Sequence, residues 1–185
     1  MRISIAYDSV YGNTELVARA IADAAEAEGH AVELISLRTS RQLPTNSQIL
    51  FIGGPTHMKT MTSRVRRFIK KLDPTYWGEH PVVVFDTFGP VAATEEERAK
   101  QRPWIEPGAA GHIQELARLL GLSVFPKTLR CAVTGIKGPL SAEALEAARE
   151  FVRDELGPNQ PVPEPGHELA EAATRRLSGI TSAAA

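Results

Sequence analysis

Short apolar runs rich in β-branched residues alternate with stretches of helical period along most of the chain. The runs are Ile3–Tyr7, Ala31–Ser36, Ile49–Gly53, Val82–Asp86 and Leu122–Val133, the last interrupted near Pro126. Between them the spacing predicts helices over Thr14–Glu28, Thr62–Leu72, His112–Leu120 and Ala142–Leu156. ILFIG and VVVF are almost unbroken in apolar residues, as expected of parallel strands covered on both faces. Leu16, Val17, Ala20, Ile21, Ala24 and Ala27 give the first helix an apolar stripe. Repeated strand–helix units of this kind predict an α/β fold, an open doubly wound sheet of about five strands.

Two segments break the rhythm. Gly89–Gly111 is a long connection containing TEEERAKQR and then PWIEPGAAG, and Ala93–Arg102 could form a short helix within it. GPNQPVPEPG, Gly157–Gly166, reads as a stiff, extended linker. HELAEAATRRL after it could form a terminal helix before a frayed ITSAAA. The expected organisation is one domain over 1–156, a Pro-rich linker over 157–166, and a C-terminal helix and tail over 167–185.

Composition narrows the class. The chain has 185 residues, 43% hydrophobic and 23% charged, which suits one globular domain. Its net charge of −1, from 21 basic and 22 acidic residues, gives no basic field for nucleic acid. A single cysteine, Cys131, allows no internal disulfide and no CxxC pair, which fits a reducing compartment. No apolar signal region follows Met1, and no window reaches the ~18 apolar residues of a membrane span, so a cytoplasmic protein is expected. His30, His57, His80, His112 and His167 have no metal-ligand spacing, and no metal site is expected.

Chemistry concentrates where the first strand meets the first helix, in YDSVYGNTE. Ligands of doubly wound sheets bind outside the carboxyl ends of the strands. Ser9-Val10-Tyr11-Gly12-Asn13-Thr14 offers hydroxyls, an amide and a glycine that permits close approach, and it runs into a helix whose first N–H groups favour an anion. A phosphate can be held there without a lysine or arginine. The plainer alternative is that Asn13 or Thr14 caps the helix while Gly12 makes the turn. Neither GxGxxG nor GxxxxGK[ST] is present, so dinucleotide and P-loop assignments are poor.

YDSVYGNTE resembles the phosphate loop of flavodoxins, whose first strand ends in the general pattern S/T-x-T/S-G-x-T. The resemblance spans residues 1 to about 156 in order. It implies a flavodoxin-like sheet of order 2-1-3-4-5 with helices on both faces. It also implies non-covalent FMN, with Ser9, Val10, Tyr11, Gly12, Asn13 and Thr14 around the phosphate. GGPTHMKT after the third strand resembles the second flavin loop, which would place Pro55, Thr56, His57 and Met58 along one side of the ring. DTFGP after the fourth strand resembles the third, which would place Thr87, Phe88 and Gly89 near the pyrimidine edge.

The sequence departs from electron-carrying flavodoxins in three ways. His57 stands where an aromatic residue usually stacks on the flavin, leaving an open ring face where a second substrate could stack. Met58 stands where a glycine often permits a peptide flip that stabilises the semiquinone. A non-glycine residue should disfavour positive φ there, which leans toward two-electron chemistry. The chain is nearly neutral rather than acidic, and Lys59, Arg64, Arg66, Arg67, Lys70 and Lys71 follow the second loop with no acid from Lys59 through Leu72. These cations are either a solvated helix face or a rim that attracts a phosphate-bearing donor or an acidic protein.

Three functions follow as expectations. The first is an FMN-dependent oxidoreductase passing electrons from a donor such as NAD(P)H to a quinone-like or protein acceptor. The second is a one-electron carrier docking on a redox partner, and the third a non-enzymatic module with a degenerate flavin site. A homo-oligomer built through the tail is a further option. No catalytic side chain is singled out. Asp86 reads as a structural turn residue, Cys131 as core, and Trp104 as packed on the domain surface rather than over the flavin.

Overall fold

The computed structural model describes residues 1–157. The linker over 158–166 and the terminal helix over 167–185 lie outside the described residues. Five parallel strands form one sheet in the order β2-β1-β3-β4-β5. They are β1 Arg2–Tyr7, β2 Ala31–Ser36, β3 Ile49–Pro55, β4 Val82–Phe88 and β5 Val124–Ala132. The helices are α1 Asn13–Ala27, α2 Ser63–Ile69, α3 Pro74–Trp77, α4 Glu95–Ile105, α5 Gly108–Leu119 and α6 Ala144–Leu156.

The near-continuous apolar runs take the central places, where both faces need covering. β1 is paired with β2 and β3, and β3 with β4, in unbroken parallel register. One face packs Ile3, Ile5, Phe51, Val83 and Phe85 against α1 and α6. The other packs Leu50, Ile52, Val82 and Val84 against α2 and α5, with Trp77 of α3. Gly53 is needed because the Phe85 ring, from the paired position on β4, occupies the space a Cβ would take.

Four details differ from the sequence pattern. Pro126 does not interrupt the last strand, because β5 is an edge strand and a register shift opposite Val82–Val84 absorbs the missing N–H. α5 begins at Gly108, before the predicted His112, because Gly108, Ala109 and Ala110 are buried and the GAAG stretch packs as helix. α2 stops at Ile69, and Asp73, accepting the Thr75 N–H at 2.9 Å, caps the unpredicted α3. α4 extends to Ile105, beyond the short helix expected.

The β2–β3 connection, residues 37–48, crosses without a helix. It is pinned by hydrogen bonds from the Leu37 N–H to the Tyr7 carbonyl (2.9 Å) and from the Gln48 N–H to the Arg2 carbonyl (2.8 Å). The Ser47 hydroxyl adds a bond to Ser4 at 2.7 Å. Among the described residues no helix is long and apolar enough to cross a membrane.

Candidate functional site

The carboxyl ends of β1, β3, β4 and β5 converge on one small cleft of about 50 Å³. Its first wall is the β1–α1 connection. Gly12 is the N-cap of α1 with φ 90° and ψ −22°, a left-handed conformation suited to glycine. The side chains of Asn13 and Thr14 bond elsewhere, so the capping alternative for them does not describe this helix. Ser9 Oγ accepts only the Glu15 N–H, at 3.3 Å. The earlier N–H groups of the turn are left to face an anion.

The side chains that could have capped the helix tie the site together instead. Asn13 Nδ2 donates to the Lys137 carbonyl at 3.0 Å. The Thr14 and Thr87 hydroxyls, both buried, are hydrogen-bonded at 2.8 Å, which joins the first loop to the end of β4. Tyr11 is half exposed, with Lys137 Nζ 5.9 Å from its ring centroid.

β3 runs through Pro55 and β4 through Phe88, so Pro55, Thr87 and Phe88 are the last strand residues rather than loop residues. With Val10, Tyr11, Asn13, Thr14, Thr56 and Gly89 they line the cleft. Ser9 lies buried behind it, and Gly12 shapes the turn. His57 and Met58 are not brought into the cleft. They begin a tight turn closed by the His57 N–H to the Thr60 carbonyl (2.9 Å) and the Thr60 N–H to the His57 carbonyl (3.1 Å). Met58 and Lys59 both have positive φ, 46° and 71°, as a type I′ turn requires. Met58 thus adopts positive φ although it is not a glycine. The two closing bonds hold it there, and its side chain is 80% exposed.

Asp86 is not a turn residue but a buried anchor within β4. Its Oδ2 accepts from Thr56 Oγ1 (2.9 Å), the Ala110 N–H (3.2 Å) and Arg130 Nη2 (3.1 Å), and Oδ1 accepts from Arg130 Nε (3.0 Å). Arg130 also donates to the Ile105 carbonyl at 2.8 Å, and its guanidinium lies 4.4 Å from the Phe88 ring centroid. One carboxylate therefore fixes the base of the second loop, the start of α5 and the support under Phe88.

Sequence reasoning missed Arg130, Val133 and Ile136. The last two close the cleft from the loop after β5. That TGIKGP segment follows a strand at the same sheet edge, a positional signal that could have found it. Trp104 is 61% exposed and stacks under Lys59, whose Nζ is 4.0 Å from its ring centroid, so α4 touches the second loop directly. Cys131 is buried, donates to the Ala144 carbonyl at 3.5 Å, and has its thiol pushed by burial up to about 12. It is a core residue, not a nucleophile.

A family model for the flavodoxin domain matches residues 4–123, well over half the chain. The chain belongs to the flavodoxin family. The family's cofactor is FMN, and the chain is an FMN-binding redox protein. No functionally curated protein matches its sequence.

Solved structures share the fold at low identity. A flavodoxin from the domain Archaea superposes with a TM-score of 0.62 at 20% identity, over 83% of this chain and 95% of that one. Flavodoxin 2 of Bacillus cereus gives 0.62 at 18%, over 82% and 94%. The rubredoxin oxygen:oxidoreductase of Desulfovibrio gigas gives 0.59 at 18%, over 98% of this chain but 37% of that protein.

The flavodoxin site has the donor chemistry that a phosphate needs: a helix start with no cap from its own N-cap residue, a left-handed glycine there, and the Ser9 hydroxyl. The residues present fit the FMN phosphate.

Proposed function

We propose that the chain is an FMN-dependent oxidoreductase that takes electrons from a reduced donor such as NAD(P)H and passes them to a quinone-like or protein acceptor. Ser9, Gly12, Asn13 and Thr14 would hold the phosphate. Thr56, His57 and Met58 would flank one side of the ring, and Thr87, Phe88 and Gly89 the pyrimidine edge. Bound FMN supplies the hydride chemistry. The protein's part is to orient substrate, exclude water and keep the ring edge polar where reduction adds charge.

The observation that carries this reading is the exposed His57–Thr60 turn. The second loop, with His57 and an exposed Met58 on that turn, carries no Phe, Tyr or Trp that could stack over the flavin. A face left open in this way can admit a second flat substrate. The near-neutral chain and the acid-free stretch from Lys59 to Lys71, with its six cations, favour an anionic donor over the acidic docking surface of a carrier. A lone cysteine kept as thiol in the core fits a reducing compartment.

The test is steady-state turnover of the FMN-loaded full chain with NADH or NADPH and a soluble benzoquinone. Sustained oxidation of either nucleotide, dependent on FMN and quinone, is expected. Absence of turnover with both would overturn the reading.

A second reading has its own support. Tyr11, Met58, Val91, Trp104 and Ile136 are exposed large side chains around the site, a surface on which a redox protein could dock. A one-electron carrier is the outcome if turnover fails but FMN cycles against a protein acceptor.

A further inference from the structure

A second hollow is far larger than the flavin cleft. It lies at the other side of β1, between the helix-free β2–β3 crossover and α2, and measures about 590 Å³. A parallel crossover usually carries a helix that would cover this flank. Here residues 37–48 pass as a pinned loop, and the space between them and α2 stays open.

Five cations line it: Arg38 and Arg41 from the crossover, and Arg64, Arg67 and Lys71 from α2 and its end. Leu37, Leu43 and Phe68 give it an apolar floor. Among the described residues, the charge is only partly neutralised, by Asp8 beside Arg38 and Arg64. By contrast, Arg19–Glu15, Lys100–Glu96 and Arg153–Glu146 pair within their own helices. Among the described residues, Arg41, Arg67 and Lys71 pair with no carboxylate. Arg67 donates Nε to the Ser63 carbonyl at 3.3 Å, which orients it without neutralising it.

Among the described residues, the acid that reaches these cations is Asp8, fully buried beside Arg38 and Arg64. Arg38 Nε is 3.2 Å from Oδ1 and Arg64 Nη1 is 3.8 Å from Oδ2. Neither contact has hydrogen-bond geometry, so both carboxylate oxygens are buried without a hydrogen-bond donor. Asp8 thus gathers two guanidiniums at the wall but leaves their N–H groups free for another acceptor. Guanidiniums presented this way suit phosphate oxygens.

We propose that this hollow is a second anion site, which binds an organic phosphate of nucleotide size carrying two or more phosphate groups. The volume falls within the range of about 300–1,000 Å³ typical of small-molecule sites. The apolar floor accepts the organic part, and the five cations accept the phosphates. The inference goes beyond the proposed oxidoreductase and does not depend on which donor reduces the flavin.

The test is calorimetric titration of the full chain, first saturated with FMN to block the flavin phosphate loop, with ADP in low-salt buffer. ADP is expected to bind and to weaken as salt rises. Inorganic pyrophosphate should compete with it, and adenosine should not. The double substitution Arg41→Ser, Arg67→Ser is expected to weaken ADP at least tenfold while FMN affinity and Tm hold. These two side chains are exposed and make no ion pair, so the fold should survive their loss, and Arg41→Glu alone offers a second reading of the same effect.

NADPH competing with ADP would make the redox donor the source of the phosphates. ADP binding without NADPH competition would make the ligand a free phosphorylated metabolite. Either supports the site. Absence of ADP and pyrophosphate binding at millimolar concentration overturns it, as does binding that both variants leave unchanged. Capture of a DNA oligonucleotide that ADP does not displace overturns it in favour of a macromolecular face. If FMN itself fails to bind, the family reading of the loops fails, and the arginine variants still decide the hollow.

Discussion

The two loops that flank the cleft solve opposite problems. The β1–α1 loop places its one left-handed residue at Gly12, where no Cβ is strained and nothing lies within 4 Å of the position a Cβ would take. The turn after β3 places two, Met58 and Lys59, on residues that carry full side chains. The first loop is relaxed and tied down, through Thr14–Thr87 and Asn13–Lys137. The second stores backbone strain at an exposed tip; it is anchored at its base by Thr56 on Asp86 and touched at its tip only by the exposed Trp104. The phosphate end of the site is thus preset, while the ring end is open and costs energy to hold. A site of that form suits a cofactor gripped at one end whose reactive face is left accessible.

The comparison can be broken most severely at its shared anchor. Asp86→Ala leaves the Arg130 guanidinium without its partner and frees Thr56. Arg130 retains 27% side-chain exposure against 0% for Asp86, so a loss of about 3 kcal/mol is expected, the low end for a broken buried pair. Urea denaturation followed by circular dichroism measures it. Gly12→Ala comes next. It meets no steric clash, so only the left-handed backbone matters, at about 1–2 kcal/mol. Because the loop is preset, the free and the FMN-bound chain share this penalty, so it is read as lost stability in urea denaturation.

Met58→Gly should act with the opposite sign. Relief of positive φ outweighs the added freedom of the unfolded chain, for a net gain of about 0.5–1 kcal/mol in thermal melts. The same change should raise the population of one-electron-reduced flavin during reduction. The smallest effect is expected from Trp104→Ala. It removes an exposed cation–π contact to Lys59 worth about 0.5 kcal/mol, visible as a Tm shift of a degree or two by calorimetry.

Much of the fold was legible because its signals are local. The apolar runs ILFIG and VVVF marked buried strands, and the stripe on Thr14–Glu28 marked α1 within a residue or two. Proline and glycine misled where tertiary context decides. Pro126 sits harmlessly at a sheet edge, and the GAAG start of α5 is helical because the Thr56 hydroxyl accepts the Ala109 N–H and Asp86 accepts the Ala110 N–H. Most cleft residues were found through the three segments that resemble flavodoxin loops, although Pro55, Thr87 and Phe88 end their strands. What position could not reveal was which of them point inward. His57 and Met58 have the right place in sequence but sit on a turn facing solvent, whereas Ile136 closes the cleft from a loop with no motif. The β2–β3 hollow was invisible for a related reason. The basic run on α2 was plain, but Arg38 and Arg41 join it only because the crossover carries no helix.

The most direct measurement is stepwise anaerobic reduction of the FMN-loaded full chain with dithionite, followed by its visible spectrum. The account, with an open ring face and a turn already locked at Met58 and Lys59, predicts passage straight to the two-electron-reduced cofactor. Accumulation of the one-electron form as the main species at half-reduction would contradict it and make the chain a carrier.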